Sequence, residues 1–109
     1  MRLKFLPSFI KRRGRITKKQ EENLKNLSNF AVENMNDLQE ECIKFSSCCL
    51  EIGFGNAENI TQQALSNPEV LFIGSEVYMS GIGTLLGNIK ESNINNVRIF
   101  PDDIRILLD

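Results

Sequence analysis

The chain has 109 residues, of which 41% are hydrophobic and 25% are charged. This composition is ordinary for one small globular domain, and no apolar run approaches the roughly 18 residues of a membrane span, so we expect a soluble, cytoplasmic protein. The sequence has no histidine, which excludes histidine-based catalytic triads, general bases and zinc sites, and we expect no bound metal.

Charge is distributed unevenly along the chain. The net charge is -1, yet residues 1–20 carry a charge of +8 and the remaining 89 residues carry -9. Lysine and arginine at this density are typical of segments that bind phosphate backbones. We therefore predict a basic, polyanion-binding arm over residues 1–20; a solvated tail and an organellar targeting segment are the alternatives. The candidate phosphate contacts are Lys11, Arg12, Arg13, Arg15 and Lys18.

A helical segment is predicted to follow the arm and to extend to residue 47. Thr17 and Gln20 have the three-residue separation of a capping box, which opens a helix. A second helix or structured loop fits residues 33–45. Hydrophobic side chains recur on one face of the first helix, at Leu24, Leu27 and Phe30.

The three cysteines are Cys42, Cys48 and Cys49. Because two of them are adjacent in the sequence, a disulfide between these neighbours is strained and is not expected. Cys48 and Cys49 lead into the first apolar strand, so we expect them to be small buried hydrophobic residues.

Three apolar strands alternate with helices through the rest of the chain. Strands are predicted over residues 49–52, 70–76 and 97–100, and helices over residues 56–67, 80–93 and 102–108. This βαβαβα order implies parallel strands joined by right-handed crossovers, and ligands of such sheets bind at the carboxyl ends of the strands. The candidate binding residues at those ends are Glu51, Gly53, Gly55, Glu76 and Asp103.

The glycine pair alone identifies no ligand. A dinucleotide fingerprint requires a third glycine at position 58, where this chain has Glu58, so a nicotinamide or flavin enzyme is disfavoured. Glu76 follows Gly55 by 21 residues, which is close to the spacing of about 20 for an acid that binds ribose hydroxyls.

Each acidic residue also has an ordinary structural explanation. Glu51 lies within an apolar strand, where it needs a partner unless it faces water at a sheet edge, and Glu76 can be a solvated acid at a strand end. Asp103 can be an acid that stabilises the start of a helix, a role that Asp102 serves equally well.

Four motifs give the chain its resemblance to a known family. They are residues 12–20 (RRGRITKKQ), 50–55 (LEIGFG), 73–83 (IGSEV followed by GIG) and 96–103 (NVRIFPDD). In this order they resemble the basic N-terminal motif and the first three cofactor motifs of bacterial tRNA (guanine-N7)-methyltransferases, a class I S-adenosylmethionine-dependent group. The resemblance spans nearly all of residues 8–108.

The resemblance implies an α/β fold, namely a truncated class I methyltransferase (Rossmann-like) three-layer fold. It would have about three parallel strands with their helices, preceded by the basic arm and the helical segment. Glu51, Glu76 and Asp103 would contact S-adenosylmethionine, and Gly53 and Gly55 would shape the turn. The product would be N7-methylguanosine in the variable loop of tRNA.

The resemblance also implies three segments and a missing part. Residues 1–20 would be the arm, 21–47 a helical lead-in and 48–109 an incomplete cofactor-binding domain. The family's later acidic motif with proline and tryptophan, which completes the catalytic and guanine-binding site, has no counterpart here. We therefore expect no catalytic residue in this chain, an inactive protein on its own, an unpaired edge on the first strand, and a separately encoded C-terminal half as a candidate partner.

Two other interpretations remain open at this point. The chain would be a non-catalytic RNA-binding remnant if only the arm were functional, and its RNA binding would then weaken with rising salt. It would otherwise be the product of a degraded gene.

Overall fold

In the part of the chain that the structure describes, the sheet has three parallel strands in the order β1-β2-β3: β1 (Ser47–Ile52), β2 (Val70–Ser75) and β3 (Val97–Phe100). The structure is a computed structural model, and it describes residues 16–54 and 57–103. Leu50 pairs with Ile73, and Gly74 pairs with Ile99. The predicted α/β class and parallel sheet are thereby confirmed, with β1 beginning two residues earlier than expected.

Five α-helices are present in the described ranges: α1 (Lys18–Asn23), α2 (Leu27–Phe30), α3 (Met35–Cys42), α4 (Glu58–Ser66) and α5 (Met79–Ser92). A 3-10 turn, Leu24–Asn26, separates α1 from α2, so the predicted first helix is divided into short pieces. The capping box is confirmed, because Gln20 N donates to Thr17 Oγ1 at 3.1 Å and Thr17 N donates to Gln20 Oε1 at 2.9 Å.

The later helices agree with the predicted boundaries to within two residues, except at the end of the described chain. Helix α4 begins after Ala57, which has a left-handed φ of 73°; Asn56, the predicted cap, lies outside the described residues. Helix α5 ends before Asn93, whose φ is 54°. Asp102 and Asp103 are not helical, contrary to prediction. Asp102 N–H instead donates a hydrogen bond to Phe100 O at 2.9 Å, which forms a turn. Residues 104–108 of that predicted helix lie outside the described ranges.

The core lies between the sheet and the helices that cross over it. Its fully buried members include Ile60 of α4, Leu71 of β2, and Ile82, Leu85 and Leu86 of α5. Strand β2 is buried along nearly its whole length, as expected for a parallel strand covered on both faces. The core therefore holds β2 and β3 firmly in place behind the strand ends.

The outer edge of β3 is covered by the chain that follows α2. Val32 N–H donates to Ile99 O at 2.9 Å, and Ala31 forms a parallel bridge to Ile99. Arg98 then joins α3 to β3, because its Nε donates to Glu41 Oε1 at 2.6 Å while its guanidinium lies 5.9 Å from the centre of the Phe30 ring. The helical segment before β1 thus closes this side of the sheet.

Strand β1 differs from the other two because almost all of it is exposed. The expectation that Cys48 and Cys49 are buried is therefore wrong: both are exposed, since no described element covers β1 as the helices cover β2. Cys48 forms a disulfide with Cys42 at the end of α3, a pair that the sequence reasoning missed, and Cys49 is a free thiol.

Candidate functional site

The carboxyl ends of the three strands lie side by side. Beyond β1, Gly53 N–H donates to Ser75 O at 2.9 Å, and beyond β2, Glu76 N–H donates to Phe100 O at 3.2 Å. These two bonds continue the strand ladders past the ends of the strands. They bring the glycine turn, the acid after β2 and the aspartates after β3 to one edge of the sheet, as the sequence predicts.

Gly53 forms the start of the turn after β1. Its φ is 63°, a left-handed conformation that costs glycine nothing and strains most other residues. An added Cβ at this position would meet no atom within 4 Å, so the turn faces open space. A ligand can approach this backbone closely. Gly55, the second predicted glycine, lies outside the described residues.

Phe54 anchors the turn to the core. Its side chain is buried, and a Cβ added to Gly74 of β2 would lie 2.6 Å from Phe54 Cδ2. Phe54 O also accepts a hydrogen bond from Ala57 N–H at 3.1 Å, which closes the connection to α4. Sequence reasoning missed both Phe54 and Gly74, although a glycine inside an apolar strand is itself a signal of close approach by another group.

Glu51 is half-buried on β1 and points toward α4. Asn59 Nδ2 donates to Glu51 Oε1 at 3.5 Å, which is a long hydrogen bond on an exposed edge strand. The sequence analysis did not single out Asn59. Glu51 lies two residues before Gly53, so its carboxylate is beside the glycine turn and can accept hydrogen bonds.

Glu76 is the most enclosed of the predicted acids, with 8% of its surface exposed. Its Oε2 atom accepts hydrogen bonds from Val77 N–H at 3.1 Å and from Tyr78 N–H at 3.3 Å. These two main-chain donors fix the orientation of the group. A fixed carboxylate at a strand end is suited to accept hydrogen bonds from a pair of ribose hydroxyls.

The two aspartates after β3 form one turn. Asp103 N–H donates to Asp102 Oδ1 at 2.8 Å, and both side chains are half-buried. Asp102 thus uses one oxygen to shape the turn in front of Asp103. Both remain candidates for the third ligand contact.

The predicted RNA contacts lie mainly outside the described residues. Lys18 is exposed on α1, whereas Lys11, Arg12, Arg13 and Arg15 precede residue 16. Helix α1 packs against α5, where an added Cβ on Gly83 would lie 2.9 Å from Gln20 Cβ and from Gln20 O. The helix that follows the basic arm is therefore fixed to the helix that follows Glu76.

Two cavities in the described part of the chain lie away from the strand ends. One, of about 170 Å³, is lined by Asp37, Glu41 and Arg98 among others, and one, of about 240 Å³, lies between α1 and α5. Around the first, hydrogen bonds from Lys44 and Arg98 lower the pKa of Glu41, although burial opposes them. The strand-end site is an open surface by comparison.

The described residues contain neither a candidate membrane span nor a candidate metal site. Within residues 16–54 and 57–103, no helix combines the length and apolar character needed to cross a membrane. Those residues also contain no group of three cysteine, aspartate or glutamate side chains able to hold a metal ion.

Three parallel strands joined by helices, with a glycine turn and an acid at adjacent carboxyl ends, make this a Rossmann-like α/β fold. Residues 45–109 match the family model described as "Putative methyltransferase". The chain therefore belongs to this methyltransferase family.

Several relatives carry the name tRNA (guanine-N(7)-)-methyltransferase. The chain is 52% identical to the one from Hyphomonas neptunium over 59 residues, which are 54% of this chain and 27% of that protein. It is 37% identical to the one from Neorickettsia sennetsu over 107 residues, covering 96% of this chain and 46% of that protein. It is 33% identical to the one from Francisella tularensis subsp. novicida over 112 residues, covering 98% of this chain and 49% of that protein. The chain thus spans at most about half the length of these relatives.

Proposed function

We propose that this chain forms the S-adenosylmethionine-binding part of a cytoplasmic tRNA (guanine-N7)-methyltransferase. The observation that supports this most strongly is the Glu76 carboxylate, held by two main-chain N–H groups beside the open Gly53 turn. The names of the relatives supply the substrate class. Residues 48–109 would be the cofactor-binding unit, residues 21–47 the helical lead-in and residues 1–20 the RNA-binding arm.

The hydrogen-bond acceptors of the site and its open glycine turn fit an adenosine-containing cofactor. Glu76 would accept hydrogen bonds from the ribose hydroxyls, and the backbone at Gly53 leaves room for close approach. Glu51, positioned by Asn59, would accept a hydrogen bond from the amino group of the methionine part. Asp103 or Asp102 would supply a third polar contact, and Gly55 would complete the turn.

The main contribution of the protein to methyl transfer would be to position the cofactor and the tRNA. When bound, S-adenosylmethionine supplies an electrophilic sulfonium methyl group to the lone pair of guanine N7. Residues of this chain would orient the cofactor, and the basic residues Lys11, Arg12, Arg13, Arg15 and Lys18 would bind tRNA phosphates. The remaining half of the relatives' length would supply the guanine pocket, so this chain alone would methylate no tRNA.

Cofactor binding is tested by titrating S-adenosylmethionine into isotope-labelled protein and following amide chemical shifts. The expected result is a weak but saturable shift of the Gly53, Phe54 and Glu76 amides, lost in Glu76→Gln and retained in Glu69→Gln. Glu69 is an exposed acid just before β2, so it controls for the change in charge. Shifts that are absent, or unchanged in Glu76→Gln, would contradict the proposed site.

A non-catalytic RNA-binding role is the second candidate, and the charge of +8 in residues 1–20 favours it. In that case tRNA affinity would fall steeply with rising salt concentration. Neutralising Arg12, Arg13 and Arg15 together would make the slope of log K against log salt concentration shallower by about three. S-adenosylmethionine would produce no saturable shift at Gly53 or Glu76. A degraded gene product would show neither property.

A further inference from the structure

The cavity of about 240 Å³ between α1 and α5 has a polar wall, which includes Gln20, Asn23, Thr84 and Asn88. We call it the α1–α5 cavity. Most of this wall is held in place by hydrogen bonds between helices. Gln20 Nε2 donates to Thr84 Oγ1 at 3.0 Å, and Asn88 Nδ2 donates to Thr61 Oγ1 of α4 at 2.9 Å. The cavity is therefore a preformed polar space rather than a gap between loosely packed side chains.

Asn23 differs from the other polar residues of this wall. Only 9% of its surface is exposed, yet among the described residues its side-chain amide has no hydrogen-bond partner, and it does not cap the 3-10 turn that follows it. Gly87 of α5 makes room for the amide, because an added Cβ there would lie 2.6 Å from Asn23 Nδ2. A buried amide needs a partner, so the cavity must supply one from a bound molecule or from water.

The rim of the cavity carries an available cation. Lys19 Nζ lies 3.1 Å from Glu91 Oε1, and the two side chains are 76% and 63% exposed. An exposed ion pair of this kind contributes little stability, so Lys19 can exchange Glu91 for a phosphate group at small cost. Lys18, which is also exposed, precedes it at the end of the basic segment.

An amide inside the cavity and an ammonium group at its rim are suited to the two ends of a nucleotide. Asparagine amides form hydrogen bonds with the edges of unpaired bases, and lysine pairs with phosphates. The size of the cavity agrees with this ligand, because one water occupies only about 30 Å³ and a planar base needs the space of several waters.

We propose that the α1–α5 cavity binds a nucleoside phosphate, with the base against the amide of Asn23 and the phosphate on Lys19. The ligand is either a free nucleotide or an unpaired nucleotide of an RNA chain, since both present the same groups. The site lies away from the strand ends, so it does not depend on the proposed function.

The site is tested by titrating the isotope-labelled chain with the four nucleoside 5′-monophosphates and, separately, with short single-stranded RNA. We expect saturable shifts of the Asn23 side-chain amide and of the Gly87 main-chain amide. Asn23→Leu keeps a similar side-chain volume but removes the amide, so it should weaken binding by about fivefold or more, measured at Gly87. Asn29→Leu is the control, because Asn29 is exposed on α2 and lies outside this cavity.

Two surface substitutions test the phosphate contact without altering the buried wall. Lys19→Gln should weaken nucleotide binding by about threefold or more, because it removes the cation. Glu91→Gln should strengthen it, because Lys19 loses its competing partner and the phosphate loses a neighbouring like charge. Uncharged nucleosides should bind equally well to the wild type and to both variants.

The site would be overturned if no nucleotide or RNA shifted the Asn23 and Gly87 signals, or if folded Asn23→Leu bound as well as the wild type. Nucleotide binding that Lys19→Gln leaves unchanged would overturn it too. Shifts with RNA alone would identify the ligand as a nucleotide within RNA, and shifts with mononucleotides alone as a free nucleotide. S-adenosylmethionine binding is measured at Gly53 and Glu76 instead, so failure of the proposed function is distinguishable from failure of this site.

Discussion

The ring of Phe54 lies directly over Gly74, at a distance where β2 has no room for a side chain. A Cβ on Gly74 would be 2.6 Å from Cδ2 and 3.0 Å from Cε2 of Phe54, and 3.1 Å from Cδ1 of Ile60. The glycine turn after β1 is thereby fixed to the central strand. The shape of the candidate site depends on this contact as much as on the residues that face the ligand.

Gly74→Ala should destabilise the protein by about 1–3 kcal/mol, because the added methyl group overpacks a closed contact. Urea unfolding measures the loss. The double variant Gly74→Ala/Phe54→Leu should recover part of it, since the smaller side chain leaves space for the methyl group. Additive effects of the two substitutions would show that the contact is not the cause.

Gly53→Ala should cost about 1 kcal/mol through backbone conformation alone, because φ is 63° and no atom lies within 4 Å of the new Cβ. Gly53→Asn is the matched variant, and it should cost less because asparagine adopts left-handed conformations more readily. Thermal unfolding distinguishes the two. Equal stability of the wild type and the alanine variant would argue against the left-handed turn.

Gly83→Ala should loosen the attachment of α1 to α5. The new methyl group would meet the Cβ and carbonyl oxygen of Gln20, and backbone atoms cannot move aside cheaply, so we expect a cost of about 1–3 kcal/mol despite the better helix propensity of alanine. At Gly87 the nearest atom is instead Nδ2 of the Asn23 side chain, which can rotate. Gly87→Ala should therefore cost less, and faster hydrogen exchange in α1 should accompany only Gly83→Ala.

Acid should weaken the connection between α3 and β3. Hydrogen bonds from Lys44 and Arg98 lower the pKa of Glu41 in the folded protein, so this stabilisation is present above the unfolded pKa and is lost as the pH falls through the folded pKa. Glu41→Gln should cost about 1.5–3 kcal/mol near neutral pH, and its stability should fall less on acidification to about pH 3.

Urea unfolding across that pH range measures the difference, and Glu40→Gln is the control on the same helix. Glu40 is exposed and accepts a hydrogen bond from Asn36 Nδ2 at 3.1 Å. Identical acid dependence in the wild type and Glu41→Gln would contradict this role for the Glu41–Arg98 pair.

Features that depend on nearby residues could be predicted from the sequence. The Thr17–Gln20 capping box and the bounds of β3 follow from local spacing and are confirmed. The placement of Glu76 after a buried strand follows from the alternation of strands and helices. In each case the residues that determine the feature lie within a few positions of it in the sequence.

Features that depend on distant residues could not be predicted in the same way. The contact of Phe54 with Gly74 and that of Asn59 with Glu51 join separate elements, and no periodicity marks them. The burial of Cys49 was predicted wrongly because an apolar strand is buried only where other elements cover it. Here the described residues leave β1 at the edge of the sheet.

The most direct test of the proposed function measures methyl transfer from S-adenosylmethionine to unmodified tRNA by this chain together with the uncovered half of the Neorickettsia sennetsu relative. The account predicts N7-methylguanosine in the nucleoside digest, none with either polypeptide alone, and a reduction of about tenfold or more with Glu76→Gln. No N7-methylguanosine from the pair, or an undiminished yield with Glu76→Gln, would contradict it.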